Sequence, residues 1–268
     1  MTEQTQPPDP PEWWRGIVLY EVYVRSFRDS DGDGLGDLPG VLEKIDYIAD
    51  LGVDGIWLAP FYPSPQEDGG YDVSDFKAVD ARFGTLDDVR DLLDAAHDRG
   101  LKVILDLVLG HTSDRHPWFR ESASSRDNPR ADWYVWADGA ADGGAPNNWL
   151  SSFGGRAWQW EPRRAQYLYC PFLDSQPALN LANPEVMSAM KDAMRFWLDL
   201  GVDGFRLDAI QCLGHDAALR SNPPAVENDN PSVGGGPNNP FKKQIHLFDR
   251  DVPEAVDVLR AIRGVADE

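Results

Sequence analysis

One five-residue phrase occurs twice in this chain, and its two positions constrain the fold. LGVDG occupies residues 51–55 and again residues 200–204. Each copy follows a segment with helical spacing of apolar residues and precedes a short apolar run, which indicates a helix end that turns into a strand. A chain that repeats this transition is typical of an α/β protein, in which helices cover a parallel sheet.

The remaining pattern predicts four strand-and-helix units. Thr85, with Asp88 three residues later, predicts a capping box at the start of the second helix, and Asn183 with Pro184 predicts the start of the third. The strands are expected at residues 17–27, 55–60, 101–109 and 204–210, and the helices at residues 39–52, 85–100, 183–201 and 251–264. The buried faces of the first and fourth helices are expected to contain Val41, Ile45, Ile48, Leu51, Val256, Leu259 and Ile262.

Two connections are too long for ordinary loops and divide the chain. Residues 110–180 are rich in Trp and Tyr and indicate a small subdomain inserted after the third strand, and residues 211–250 form the second excursion. Both leave from the carboxyl ends of strands, where α/β folds build their sites. The predicted divisions are residues 1–109 for the first three strands, 110–180 for the inserted subdomain, and 181–268 for the third helix, fourth strand, long loop and fourth helix.

Charge and composition exclude several classes of protein. A formal net charge of −20 argues against nucleic acid and anionic membranes as partners, and favours a neutral or cationic ligand. The opening residues lack the pattern of a signal peptide, and no apolar run approaches the roughly 18 residues of a membrane span. Cys170 and Cys212 cannot form a disulfide framework and are expected as free thiols. We therefore expect a cytoplasmic protein of undetermined oligomeric state.

The second LGVDG copy continues with a charged pair, Arg206 and Asp208, in an apolar run. Side chains two apart on a strand share a face, so the guanidinium and the carboxylate should lie together. A guanidinium favours the ionised form of a neighbouring carboxylate, which suits a nucleophile or a charge stabiliser. A buried ion pair that holds a barrel layer together explains the same spacing equally well.

Longer motifs identify a family that this chain resembles. They are PFYPSPQEDGGYDVSDF at residues 60–76, DLVLGHTSDRHPWF at 106–119 and GVDGFRLDAI at 201–210. Together they resemble the α-amylase family of glycoside hydrolases (glycoside hydrolase family 13), and within it the bacterial α-glucosidase and oligo-α-glucosidase branch. The resemblance implies the N-terminal half of a (β/α)8 TIM barrel, with a small subdomain inserted after the third strand.

The resemblance also implies roles for the residues at the strand ends. Asp208 would be the nucleophile of a retaining mechanism, Arg206 would orient it, and Asp106 would brace Arg206 from the neighbouring strand. His111 would donate a hydrogen bond to the sugar. Such enzymes need a second carboxyl group, about 5 Å from the first, to protonate the leaving oxygen.

Further residues are expected to hold the sugar. Tyr71 offers an amphipathic ring on which a pyranose can stack, and the resemblance makes Asp68 the residue that grips hydroxyls of a terminal glucose. Phe153 and Phe172 occupy positions where the family has pocket walls, although a lone Phe is more often part of a core. Asp72, in the loop of Asp68 and Tyr71, could cap a turn instead of contacting the sugar.

The stretch DSDGDGLGD, residues 29–37, has acidic residues at alternate positions with glycines between them. Oxygen ligands at positions 1, 3, 5 and 9, with a main-chain carbonyl at position 7, describe most of a calcium loop. Position 12 is Gly40, so the loop is not an EF-hand. The resemblance implies a structural Ca²⁺ held by Asp29, Asp31, Asp33, the Leu35 carbonyl and Asp37, and a solvated acidic turn is the alternative.

The resemblance implies parts that four strands do not supply. The family's acid/base glutamate stands at the end of the fifth strand, whereas the predicted fourth helix already reaches residue 264 of 268. General acid catalysis contributes about 10²–10⁴-fold, so we expect this chain alone to be inactive and, as an open half-barrel, poorly stable.

The leading hypothesis is an α-glucosidase of carbohydrate metabolism that acts on small α-glucosides or oligosaccharides. An α-glucosyl transferase or isomerase, such as trehalose synthase, shares the first half of that mechanism. A non-catalytic, sugar-binding remnant is the alternative from a different class of protein.

Overall fold

A computed structural model describes residues 13–225 and 239–268, and its elements alternate between strands and helices. The strands are β1 (Leu19–Val22), β2 (Gly55–Leu58), β3 (Lys102–Leu107), β4 (Trp136–Ala137), β5 (Trp158–Glu161), β6 (Gln166–Tyr169) and β7 (Gly204–Leu207). The helices are α1 (Val24–Phe27), α2 (Leu38–Glu43), α3 (Ile45–Asp50), α4 (Leu86–His97), α5 (Pro117–Ser122), α6 (Pro184–Leu200) and α7 (Glu254–Ala266).

The main sheet is parallel, as the repeated phrase predicts. Its strands lie in the order β1-β2-β3-β7, so the last strand pairs with the third across the whole inserted segment. In β3 every residue from Val103 to Leu107 is buried, and the register places Asp106 directly beside Arg206. All four strands end at the same edge, which brings together loops that are far apart in sequence.

A second, antiparallel sheet lies inside the aromatic segment. Its strands lie in the order β4-β6-β5, and the bulky side chains of Trp149, Trp158 and Tyr169 form its small core. Trp149 also donates its indole N–H to the Arg220 carbonyl at 2.9 Å, and Asn148 donates to the Asn222 carbonyl at 2.9 Å. The inserted segment is thereby attached to the loop that follows β7.

All four predicted strands are too long. The second was expected to reach Pro60 and ends at Leu58. The first was expected to reach residue 27, but β1 ends at Val22 because the Tyr23 carbonyl accepts the Ser26 N–H and starts the short helix α1. The third ends at Leu107. The fourth ends at Leu207, since Ala209 adopts a φ of +47° that no strand can contain.

The observed helix ends largely agree with prediction, whereas two of the predicted buried faces each contain a residue that is exposed. Thr85 and Asp88 form the capping box of α4, and Asn183 caps α6. The first predicted helix is divided into α2 and α3 at Lys44. Leu51 and Val256, both expected to be buried, are 47% and 46% exposed. In α7 the buried positions are Ala255, Val258, Ile262 and Val265.

Cys170 and Cys212 are free thiols. Within the parts of the chain that the structure describes, no helix combines the length and the apolar character needed to cross a bilayer. Residues 1–12, on which the signal-peptide interpretation mostly rests, and residues 226–238 of the second long excursion lie outside the described residues.

Candidate active site

A cavity of about 430 Å³ opens at the carboxyl edge of the parallel sheet. All seven residues that the sequence predicts for catalysis and sugar binding line it, together with Ala209 and Gln211, for which the sequence predicts no role. These seven are Asp68, Tyr71, His111, Phe153, Phe172, Arg206 and Asp208. Residues from four loops and one strand end therefore meet, although the catalytic and binding roles themselves stay predictions.

Arg206 lies between two carboxylates. Its Nη1 donates to Asp208 Oδ1 at 2.7 Å and to both oxygens of Asp106 at 3.0 Å. Because β3 and β7 are in register at Asp106 and Arg206, the backbone itself fixes this pair. Asp208 follows the last residue of β7, and the turn at Ala209 leaves its side chain at the cavity mouth.

Asp106 is the buried member of this group, with 1% of its surface exposed. It also accepts the Tyr71 hydroxyl at 3.1 Å and the Trp57 indole N–H at 3.2 Å. Burial raises the pKa of Asp106 to about 6, even though the charge of Arg206 acts in the opposite direction. Asp106 therefore changes charge close to neutral pH, which makes the arrangement of Arg206 sensitive to mild acid.

A fully buried glutamine, Gln176, connects two of the predicted sugar-binding side chains. Its Nε2 donates to Asp68 Oδ2 at 2.8 Å and lies 3.2 Å from His111 Nε2, while its Oε1 accepts the Leu173 N–H at 3.0 Å. Burial raises the pKa of Asp68, and the hydrogen bond from Gln176 opposes that effect. The sequence reasoning assigned no role to Gln176, since its partners lie 65 and 108 positions away.

His111 is buried and neutral at pH 7, because burial lowers its pKa to about 4. Its Nε2 lies 3.1 Å from the Tyr71 carbonyl, while its Nδ1 is buried without a partner in the described protein. In a neutral ring whose Nε2 donates to the Tyr71 carbonyl, Nδ1 is an acceptor. The donation from His111 to a sugar therefore stays a prediction.

Two aromatic rings border the same cavity. Phe172 packs against His111 with a ring separation of 5.1 Å, and Phe153 packs against Phe172 at 5.5 Å. Phe153 is 56% exposed, so it is not part of a core. Both rings give the cavity apolar surface in addition to its carboxylates, which suits a pyranose with its apolar faces and polar hydroxyls.

The loop that carries Asp68 and Tyr71 is held by Asp72. This buried carboxylate accepts hydrogen bonds from the Ser64 hydroxyl and from the backbone N–H groups of Glu67 and Asp68. Asp72 therefore caps the turn, which was one of the two interpretations of the sequence.

The acidic loop brings together three of the predicted calcium ligands. Oxygen atoms of Asp29, Asp31 and Asp37 lie within 4.8 Å of one another. Asp33 is not part of that group, and its carboxylate accepts the Leu35 N–H at 2.7 Å. Hydrogen bonds from backbone N–H groups, that of Gly34 foremost, lower the pKa of Asp29. Three carboxylates that converge in this way fit Ca²⁺, and the participation of Asp33 and of the Leu35 carbonyl stays a prediction.

Comparison with known proteins assigns the family. Residues 21–268 match the family described as "Alpha amylase, catalytic domain". The chain is 54% identical to a probable α-glucosidase of Rhizobium meliloti (strain 1021) over 96% of its own length and 47% of that protein. It is 50% identical to an oligo-1,6-glucosidase of Heyndrickxia coagulans over 74% of its length and 36% of that protein.

Solved structures agree with these relatives. An α-glucosyl transfer enzyme, XgtA, has a TM-score of 0.93 and 56% identity over 95% of this chain and 48% of that one. A trehalose-6-phosphate hydrolase of Bacillus licheniformis has a TM-score of 0.84 and 38% identity over 94% of this chain and 42% of that one. The chain thus spans less than half the length of all four proteins.

The structural match to less than half of each solved chain confirms the predicted fold class, the N-terminal half of a (β/α)8 TIM barrel. The four parallel strands and the inserted sheet correspond to the N-terminal half of the barrel of these proteins. This fold, the cavity at its carboxyl edge and the family match over residues 21–268 agree with one another. The chain belongs to the α-amylase family of glycoside hydrolases, glycoside hydrolase family 13.

Proposed function

We propose that this chain carries the glucosyl-binding and nucleophile-bearing part of a retaining α-glucosidase that acts on short α-linked oligosaccharides. The observation that carries the proposal is the single cavity in which Asp208 and Arg206 meet Tyr71, His111 and Asp68. Relatives that are named α-glucosidase or oligo-1,6-glucosidase support the choice of substrate.

Asp208 is the nucleophile in this proposal. Its carboxylate attacks the anomeric carbon, the bond from that carbon to the leaving oxygen breaks, and a glucosyl ester forms, which water then hydrolyses. Arg206 donates to Asp208 Oδ1 at 2.7 Å and orients the carboxylate that attacks. The ring of Tyr71 supports the sugar, and His111 and Asp68 bind its hydroxyls.

The protonation of the leaving group requires a second carboxyl group. Among the described residues that line the cavity, Asp68 is the other carboxylate, and its bond to Gln176 fits it to sugar binding. The test of Asp208 should therefore use a leaving group that does not need a general acid. Fluoride meets this condition, because it departs without protonation.

The experiment uses 5-fluoro-α-D-glucosyl fluoride. Attack by Asp208 breaks the bond from C1 to fluorine, releases fluoride and forms an ester, whose hydrolysis the ring fluorine slows. We expect intact-protein mass spectrometry to show one added fluoroglucosyl group, on the peptide that contains Asp208. D208N should show none, and D199N, at an exposed position of α6, should react as the unchanged protein does. Labelling of D208N at the unchanged rate contradicts the proposal.

Glucosyl transfer is the second candidate, because the α-glucosyl transfer enzyme matches with a TM-score of 0.93. Both reactions share the glucosyl ester and differ in the acceptor that removes the sugar. Discharge of the labelled ester is to be measured with and without maltose. Faster discharge with formation of a trisaccharide supports transfer, whereas a rate that is independent of maltose supports hydrolysis.

We also propose that the loop at residues 29–37 binds a structural Ca²⁺, on the support of the converging carboxylates of Asp29, Asp31 and Asp37. The ion would tie this loop to the start of α2, which Asp37 caps. Added Ca²⁺ should raise the melting temperature, and D31N should abolish the increase. An equal increase in D31N contradicts this site.

A further inference from the structure

Trp57 lies next to two charged groups of the candidate site, Asp106 and Arg206. It is the third residue of β2, and its register partner on β3 is Ile104, two residues before Asp106. Its neighbours Ile56 and Leu58 are fully buried against the helices, so the indole occupies the other face of the strand. This is the face that Asp106 and Arg206 share.

The indole contacts both members of the buried ion pair. Its Nε1 donates to Asp106 Oδ2 at 3.2 Å, and the Arg206 Cζ lies 4.8 Å from the centroid of its ring. A guanidinium at that distance from an aromatic face is attracted to it. Trp57 is not among the described residues that line the cavity, so its contribution to the site has to pass through Asp106 and Arg206.

We propose that Trp57 is a positioning residue for Asp208, which holds Asp106 by its indole N–H and supports Arg206 by its ring face. The proposal rests on the proposed role of Asp208 as nucleophile. It assigns to β2 a function in the site that neither the motifs nor the cavity lining indicates.

The need for such a residue follows from how Arg206 is shared. One nitrogen, Nη1, donates to both Asp208 and Asp106. A stronger interaction with Asp106 would therefore draw Arg206 away from the nucleophile. The indole N–H and the Tyr71 hydroxyl satisfy Asp106 independently of Arg206. The ring below the guanidinium also limits how far Arg206 can move from Asp208.

The charged and titratable groups that face Asp106 are Arg206, Asp208, Tyr71 and Tyr62, whose hydroxyl bonds to the Asp106 carbonyl. Trp57 adds a donor that does not titrate. Because a hydrogen bond to the ionised form lowers the pKa of a carboxyl group, loss of the indole N–H should shift the pKa of Asp106 further upward.

Two variants separate the two contacts. W57F keeps a ring below Arg206 and removes the N–H, whereas W57L removes both. We expect W57F to be labelled by 5-fluoro-α-D-glucosyl fluoride about 10-fold more slowly at pH 7, and W57L about 100-fold more slowly. The midpoint of the pH dependence should move upward in W57F. W160F, at the exposed Trp160 of β5, is the matched control and should react as the unchanged protein does.

A purely structural role for Trp57 predicts a different outcome. Lower stability towards urea, with an unchanged labelling rate and an unchanged pH midpoint in folded W57F, would overturn the proposal. Glucose binding should be weakened little in either variant, since Tyr71, His111 and Asp68 keep their contacts.

A second measurement uses the unchanged protein without the fluorosugar. It therefore does not depend on whether the Trp57 variants fold or on the labelling reaction. The indole N–H resonance of Trp57 in the unchanged protein should shift with a midpoint near pH 6, which follows the titration of Asp106. The shift should vanish in D106N. An indole resonance that is flat between pH 5 and pH 7 contradicts the contact, whereas a titrating indole without labelling contradicts only the role of Asp208.

Discussion

Asp106 is the residue whose charge decides how the site responds to pH. Its pKa is raised to about 6 by burial, so below pH 6 it takes up a proton and Arg206 loses one of its two anionic partners. Labelling by the fluorosugar should therefore slow as the pH falls through 6, and D106N should be slow without that dependence. A wild-type rate that is constant between pH 5 and pH 7 contradicts this assignment.

The same pKa shift acts on stability in the opposite direction. A folded-state pKa above the ordinary value means that the folded protein binds the proton more tightly than the unfolded chain does. The contribution of Asp106 to the free energy of unfolding is therefore fully present at acid pH and is lost as the pH rises through 6. Activity and this part of the stability cannot have the same optimum.

Gln176 is expected to matter for sugar binding because it holds Asp68 and His111 at once. Q176A leaves Asp68 without its side-chain donor, so glucose binding measured by NMR titration should weaken about tenfold and unfolding should cost about 1–3 kcal/mol less. Gln159, which donates to Asp174 at 2.7 Å at the surface of the inserted sheet, offers the matched variant Q159A. Equal affinity in the two variants contradicts the role of Gln176.

At the level of residues, the sequence predicted those side chains that stand inside recognisable motifs. Asp208, Arg206, His111, Tyr71 and Asp68 were located in this way, and they line one cavity. Contacts between distant segments carry no local pattern, so Trp57 and Gln176 could not be assigned. Spacing also could not show that the Asp33 carboxylate accepts the Leu35 N–H.

Among the elements, the ends of helices were easier to predict than the ends of strands. The capping box at Thr85 and the N-cap at Asn183 depend on residues within one turn, and both are present. The end of β1 depends on a turn in which Val24 becomes buried, and the β-branched composition of this segment suits either conformation. In α7 the apolar positions allow two faces, and only packing against the barrel decides that Val256 faces outward.

The cap of α5 gives a prediction for this element. His116 Nδ1 accepts the Trp118 N–H, and burial lowers the pKa of His116 to about 3, so the neutral ring is the cap. The unfolded chain binds the proton more readily, and this stability is lost as the pH falls from 6.5 towards 3. At pH 5 the loss amounts to about 2 kcal/mol, at 1.36 kcal/mol per pKa unit.

H116N tests the cap, because Asn is a good N-cap that does not titrate. Urea unfolding at pH 7 and pH 5 should show a smaller loss of stability in H116N than in the unchanged protein. Between pH 8 and pH 7 both proteins should change in parallel, which serves as the control. Equal losses on acidification would show that His116 is already charged in the folded state.

In the molecule as a whole, the parallel sheet explains why residues between 68 and 208 form one site. The alternation of strands and helices predicts a parallel sheet, and the order β1-β2-β3-β7 is the one that the resemblance to a (β/α)8 barrel implies. The attachment of the inserted sheet to the loop after β7, through Trp149 and Asn148, was not predictable. Both bonds end on backbone carbonyls, which every residue has. The sequence therefore contains no pattern that identifies the partner residues.

The overall charge leads to a prediction about the substrate. The chain carries a formal net charge of −20, and among the described residues that line the cavity Arg206 is the one cation, already shared between Asp106 and Asp208. A phosphorylated sugar would therefore meet Asp68 and Asp208 without a free positive partner. We expect glucose 6-phosphate to bind at least about tenfold more weakly than glucose, because like charges a few ångströms apart repel by more than 1 kcal/mol at an effective dielectric constant of about 20.

Salt separates this electrostatic effect from a steric one. Mobile ions screen charges over about 10 Å at 0.1 M and about 3 Å at 1 M, so the difference in affinity between glucose and glucose 6-phosphate should narrow as NaCl is added. The binding of neutral glucose should hardly change, which serves as the internal control in the same NMR titrations. A difference that persists at 1 M NaCl shows that the cavity excludes the phosphate by shape. Equal affinities at low salt show instead that this cavity tolerates an anion.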